Sequence, residues 1–280
     1  MAEFISYDGT PLAYRSFGDG PPLVCLPGGP MRDSAYLGEL GGLSAHRRLI
    51  MLDLRGTGRS ALPGDPASYR CDRQVADVEA LREHLGLDRI DLLGHSAGTN
   101  LAVLYAARRP ERVGRLLLVT PSPMVLGIEV TAQERLATAR LRAGEPWFAA
   151  AYAALESVAA GRPAPGAWEA VAPLRHGRWD AAARELDAGD EVQRNAEAAA
   201  GYGAEGAYDP TATRAALAAF AAPVLVLAGE VDLNSPPAAM AELAGAFPGA
   251  GLLVQPGAGH YPWLDDAARF TAAAEAFLAG

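Results

Sequence analysis

The segment from Ile90 to Gly98 constrains this chain more than any other, because Gly94-His95-Ser96-Ala97-Gly98 sets one serine between two glycines where an apolar run gives way to an Ala- and Leu-rich one. Ile90-Asp91-Leu92-Leu93 reads as a short buried strand, and Ala97 to Arg108 as a helix that stops before Pro110. A G-x-S-x-G turn between strand and helix requires small residues on both sides of the serine. The backbone is strained there, the helix crowds close, and the hydroxyl has to stand clear of the sheet. Gly94 and Gly98 supply that room. The five letters recur by chance in a Gly-rich protein, and the bland reading of Ser96 is a helix cap. The strand before and the helix after favour a nucleophile.

A nucleophilic serine needs a base to take its proton and an acid to orient that base. Pro223 to Ala228 reads as a buried strand followed by Gly229-Glu230-Val231-Asp232, so Asp232 falls in the loop at the strand's C-terminal end, with Glu230 as its competitor and helix capping as its alternative role. The next apolar segment, Gly251 to Val254, leads through Pro256-Gly257-Ala258-Gly259 to His260, the one histidine in a loop suited to a base. His46, His84 and His176 lie in polar or helical settings, and the side chain of His95 is expected to point away from that of Ser96. The developing oxyanion needs backbone donors. The strand Pro22 to Leu26 runs into Pro27-Gly28-Gly29-Pro30, whose glycines let an N–H turn toward Ser96. The expected donors are Ala97 N–H and Gly29 N–H, with Gly28 as the alternative; a plain Gly-Pro turn is the competing reading.

Four matches make the chain resemble the α/β-hydrolase family, on the branch of proline iminopeptidases and related esterases. They are Pro27-Gly28-Gly29-Pro30, the run Asp53-Leu54-Arg55-Gly56-Thr57-Gly58-Arg59-Ser60, the turn at Ser96, and the loops of Asp232 and His260. The order Ser96, Asp232, His260 is that family's order. The resemblance implies a mostly parallel eight-stranded sheet flanked by helices, with a helical cap inserted, and gives Asp53 and Arg55 a bracing role beneath the site. The chain departs from the peptidases in three places. The loop before Gly28 lacks an initial His, Met31 stands where many of them carry Gly, and the turn reads G-H-S-A-G rather than G-G-S-W-G.

Strand-like and helical patterns alternate as far as Pro121 and resume at Pro223. The division expected is therefore a core of residues 1–121 and 223–280 around a cap of residues 122–222. Within the cap, Trp147 to Ala160 and Arg178 to Leu186 read as helices. Trp147, Phe148, Tyr152, Trp168 and Trp179 are candidates to line a substrate pocket, against a default of cap core. Glu145, Glu156, Glu169, Glu197 and Glu205 are candidates to meet a substrate ammonium, against a default of solvated helix faces.

At 280 residues the chain is long enough for one large domain plus this insertion. A net charge of −9 with no basic run argues against nucleic-acid and anionic-membrane partners and leaves a small-molecule substrate. The opening Met1-Ala2-Glu3-Phe4 has no basic start or apolar stretch, and two cysteines suit a reduced compartment, so a cytoplasmic location is expected. No H-x-x-x-H, C-x-x-C, P-loop or dinucleotide pattern occurs, so no metal or cofactor is expected. The chemistry expected is two-step acyl transfer from Ser96, with carboxylic ester hydrolysis first. N-terminal peptide hydrolysis comes second and a biosynthetic thioesterase or cyclase third. A non-catalytic ligand-binding protein on the same fold is the alternative from another class.

Overall fold

Residues 1–280 are described by a computed structural model. Two short strands, β1 (Ala2–Ile5) and β2 (Pro11–Phe17), precede β3 (Pro22–Leu26) and β4 (Arg48–Leu52). Helix α1 (Cys71–His84), β5 (Ile90–His95), α2 (Gly98–Arg108) and β6 (Val113–Val119) follow. Helices α3 (Ala132–Arg140), α4 (Phe148–Ala159), α5 (Ala167–Ala170), α6 (Ala181–Gln193), α7 (Ala196–Tyr202) and α8 (Pro210–Leu217) come next. The chain closes with β7 (Val224–Gly229), α9 (Pro237–Ala244), β8 (Gly251–Gln255), α10 (Pro262–Asp265) and α11 (Ala267–Ala279). The strands form one sheet in the order β1-β2-β4-β3-β5-β6-β7-β8. Pairing is antiparallel for β1 with β2 and β2 with β4, and parallel from β4 through to β8.

The near-continuous apolar character of β3 to β7 has a simple cause. Successive side chains of a strand point to opposite faces, and both faces of this sheet are covered by helices. Val24, Leu26, Leu92, Leu116, Leu118 and Val226 pack on one face with side chains from α1, α2 and α9. Leu23, Cys25, Leu93, Leu117, Val119 and Leu227 alternate with them and pack on the other face with Trp263, Phe270 and Leu278. The expected strands and the helix after Ser96 are found within two residues of where the sequence puts them. The helix expected from Arg178 starts only at Ala181, because the Asp180 carboxylate accepts from Ala183 N–H at 3.1 Å and caps it there.

The stretch between β6 and β7 contributes no strand to the sheet. It also does not pack as a single unit. Val125, Leu126, Ala198, Tyr202, Leu217 and Phe220 join the main core, whereas Ala139, Ala151, Leu155, Val171 and Leu174 form a separate small cluster together with Leu233. The two ends of the stretch are thus fused to the α2 face of the sheet, and only its middle packs as a body of its own. No helix is long and apolar enough to cross a membrane.

Candidate active site

The turn after β5 holds Ser96 at φ 52, a left-handed conformation that is uncommon for a residue other than glycine. Close packing keeps it there. A Cβ on Gly94 would lie 2.8 Å from Thr99 Cα, and one on Gly98 would run into the carbonyl oxygens of Leu26 and Pro27. β5, α2 and the end of β3 therefore meet at a distance only glycine allows.

Three parallel strand ends converge on Ser96. Its Oγ lies 2.7 Å from His260 Nε2, and His260 Nδ1 lies 2.7 Å from Asp232 Oδ2. With the ring hydrogen on Nδ1, the imidazole donates to Asp232 and leaves Nε2 to accept from the serine hydroxyl. Asp232 is fully buried, and its other oxygen accepts from Asn234 N–H at 2.8 Å. Glu230 turns elsewhere, its carboxylate accepting from Gly257 N–H at 2.7 Å and pinning the loop that carries His260. The backbone of His260 is held as well, its N–H donating to Arg175 O at 2.8 Å.

Gly29 and Ala97 line the same cavity as Ser96 and His260, and neither backbone N–H donates to another protein atom. The alternative, Gly28, is already engaged: its N–H donates to Tyr36 Oη at 2.7 Å. That bond begins a relay. The Tyr36 hydroxyl donates to His95 Nδ1 at 2.6 Å, and His95 Nε2 donates to the His260 carbonyl at 2.9 Å, which also accepts from Thr120 Oγ1 at 3.0 Å. Burial, with His260 beside it, lowers the His95 pKa well below its ordinary value, and burial raises that of the Tyr36 phenol. Both stay neutral, as the relay requires. Tyr36, His95 and Thr120 thus link the Gly28 loop, the serine turn and the His260 loop, and only the adjacency of His95 to Ser96 hinted at this in the sequence.

Met31 adopts φ 58 and is fully buried, while its carbonyl accepts from Asn195 N–H at 3.0 Å. A left-handed residue with a side chain costs roughly 1–2 kcal/mol, which burial of the thioether offsets. Behind the loop, Asp53 accepts from Ser34 Oγ at 2.5 Å and from Arg59 N–H at 3.1 Å. The buried Arg55 pairs with Asp77 through two hydrogen bonds, at 2.8 and 2.5 Å, and with Asp8 at 2.8 Å.

The cavity over Ser96 measures about 770 Å³ and is walled by Asn100, Ile128, Arg135, Tyr202, Tyr208 and Asn234, among others. None of the five aromatics expected to line a pocket reaches it. Trp168 is 65% exposed, Phe148 packs against Tyr152, Trp147 and Tyr152 pack against the separate cluster, and Trp179 packs against His176. Trp147 and Tyr152 turn into the small core of their own helices, and the wall over Ser96 comes instead from α7 and from the segments after β6 and β7. Glu145, Glu156, Glu169, Glu197 and Glu205 do not line it either. A smaller polar cleft of about 110 Å³ adjoins Ser96 and His260 and is lined by Arg32, Arg175, Asp187, Asp190 and Arg194. Asp190 pairs there with Arg32 at 3.2 Å and with Arg194 at 2.5 Å, and Asp187 pairs with Arg175 at 2.6 Å. No group of three or more His, Cys, Asp or Glu side chains is arranged to hold a metal ion.

Known proteins share this architecture. A proline iminopeptidase of Heyndrickxia coagulans is 35% identical over 121 residues, covering 42% of this chain and 42% of that protein, so the chain aligns with less than half the length of such curated relatives. The structure of an esterase from Rhodococcus sp. ECU1013 is 26% identical, covers 100% of this chain and 98% of its own, and superposes with a TM-score of 0.76. That of a proline iminopeptidase from Mycobacterium smegmatis is 25% identical, covers 99% and 97%, and also gives 0.76. A family model described as alpha/beta hydrolase fold matches residues 21–267, and with the sheet order and the turn at Ser96 it makes this chain a member of the alpha/beta hydrolase fold family.

Proposed function

We propose that the protein is a serine hydrolase that cleaves carboxylic esters through an acyl-enzyme, with Ser96 as nucleophile, His260 as general base and acid, and Asp232 as the group that orients His260. The observation that carries this reading is the pair of 2.7 Å contacts linking Ser96, His260 and Asp232, beside two unengaged backbone N–H groups in one cavity. His260 Nε2 takes the hydroxyl proton as Ser96 Oγ attacks the ester carbonyl, and the developing oxyanion accepts from Gly29 N–H and Ala97 N–H. The imidazolium, stabilised by Asp232, then protonates the departing alcohol. Water, activated by the same nitrogen, adds to the acyl group and releases the acid. Helices α3 to α6 act as the cap of this site, a narrower body than residues 122–222 because α7 and α8 pack in the main core.

An ester is favoured over a free-amino peptide by charge. A substrate ammonium in the large cavity would meet the Arg135 guanidinium, and the carboxylates of the smaller cleft are already paired with arginines. An unpaired buried charge costs several kcal/mol. Iminopeptidase action is the second reading, supported by the proline iminopeptidase relatives and by Asp187 and Asp190 beside Ser96. Labelling with a fluorophosphonate, mass spectrometry of the adduct and a panel of p-nitrophenyl esters and aminoacyl arylamides test both. The adduct is expected on Ser96 and the esters are expected to turn over faster. No adduct, or one on another residue, overturns the mechanism; preference for arylamides with a free amino group, abolished by N-acylation, selects the second reading.

A further inference from the structure

Arg135 is the only Lys or Arg side chain among the residues that wall the large cavity, and it has no carboxylate partner within ion-pair distance. It projects from the first turns of α3, whose start is fixed by a capping box. Thr131 Oγ1 accepts from Glu134 N–H at 3.2 Å, and the Glu134 carboxylate accepts from Thr131 N–H at 2.7 Å. Glu134, the neighbouring acid, is thereby committed to the helix end. The guanidinium itself is tethered through one nitrogen only, Nη1, which donates to Leu233 O at 3.0 Å and to Asn234 Oδ1 at 3.2 Å in the loop directly after Asp232. Nε and Nη2 donate to no protein atom. The two other nearby carboxylates do not pair with it. Asp232 is already bonded to His260 and Asn234, and Glu129, the only carboxylate on the cavity wall, is exposed. Burial pulls the Arg135 pKa below its ordinary value despite the fields of Asp232 and Glu134, so the surroundings leave this cation short of compensation.

A half-buried guanidinium held by one nitrogen, with its other donors directed at no protein acceptor, has the fork geometry that takes a carboxylate through paired hydrogen bonds. We infer that Arg135 is a specificity residue that binds a carboxylate of the substrate, so that the preferred substrates are esters carrying a second, free carboxylate, such as half-esters of short dicarboxylic acids. This rests on the ester-hydrolase reading and deepens it. Ser96 supplies the reaction, and Arg135, on the same cavity, selects the anion.

The test uses matched esters, p-nitrophenyl hemiglutarate and neutral p-nitrophenyl valerate, with the wild type, Arg135→Gln and Arg135→Lys. In Arg135→Gln, the ratio of kcat/KM for the anionic over the neutral ester should fall about tenfold or more, mainly through KM of the anionic ester, and Arg135→Lys should restore part of it. An unchanged ratio overturns the inference, because a role confined to bracing the Asp232 loop would lower both substrates by one factor. Binding is measured separately, with glutaramate and its uncharged diamide as ligands of the Ser96→Ala protein. Glutaramate should bind more tightly than the diamide, and Arg135→Gln should erase the difference. If that difference is found while neither ester is cleaved, the ester reading falls and the anion site stands; equal binding of both ligands sinks the anion site.

Discussion

The sheet strands β3 to β7 and the helices α3 to α6 sit on either side of Ser96 and are built by different means. The strands bury nearly every side chain on two faces, and their C-terminal ends meet where Ser96, Asp232 and His260 touch. The helices are Ala-rich, α3 and α4 pack with Val171, Leu174 and Leu233 in a cluster of only six buried residues, and Trp168 is left largely in solvent. On the function proposed above, the sheet ends position the chemistry, while the insertion, with its smaller core, governs what enters. Substitutions on the two sides should therefore differ in kind.

The largest effect belongs to the strand ends. Ser96→Ala should lower ester turnover by on the order of 10³-fold or more and abolish fluorophosphonate labelling, with an unchanged circular dichroism spectrum. Retained labelling would remove the sheet side from the chemistry. Asp232→Asn should follow, at roughly 10³-fold in kcat, because an amide opposite Nδ1 favours the wrong tautomer. Glu230→Gln should leave kcat within a few-fold, since that carboxylate serves the Gly257 N–H; the reverse pattern would transfer the acid role.

Stability sharpens the contrast. Leu117→Ala, on the fully buried strand face, should cost about 2–5 kcal/mol in urea unfolding. The buried His95 adds a pH-dependent part. Its pKa is depressed in the folded state, so the unfolded chain binds the extra proton as pH drops below about 6.5. The stability that neutral His95 contributes is present above that pH and is lost as pH falls toward its folded value, by up to about 1.4 kcal/mol per pH unit. His95→Gln, which keeps a donor toward the His260 carbonyl, should flatten this slope; an unchanged slope would show that His95 does not titrate between the two states. The smallest effect is expected on the cap. Trp168→Ala should shift stability by no more than about 0.5 kcal/mol and leave kcat/KM unaltered, because the indole is exposed and away from the cavity. A clear loss of activity there would mean that the cap closes over Ser96 in a second arrangement.

Strands β3, β5 and β7 were legible because each is a short apolar run with Gly or Pro at one end or both, and all three are buried; the equally apolar β8 lies at the sheet edge and leaves Leu252 and Val254 exposed. The serine turn was legible for a related reason: only glycine fits at positions 94 and 98, so the steric demand is written as residue type. Asp232 and His260 followed because each lies in a loop at the C-terminal end of a strand. The cap aromatics misled because a tryptophan in an Ala-rich helix shows that the helix has an apolar face without showing what the face meets.

By itself, then, the sequence determined the doubly covered sheet, the strained turn and the three residues that converge there, since each depends on local pattern and strand order. Only the tertiary structure decided which N–H groups stay unengaged, that Gly28 is committed to Tyr36, that His95 ties two loops together, and that Arg135 rather than a cap aromatic walls the cavity. Those outcomes depend on contacts between different elements, eight positions apart for Gly28 and Tyr36 and 165 for His95 and His260. A hydrogen bond of that kind is set by how the elements pack, and neither partner's local sequence carries it.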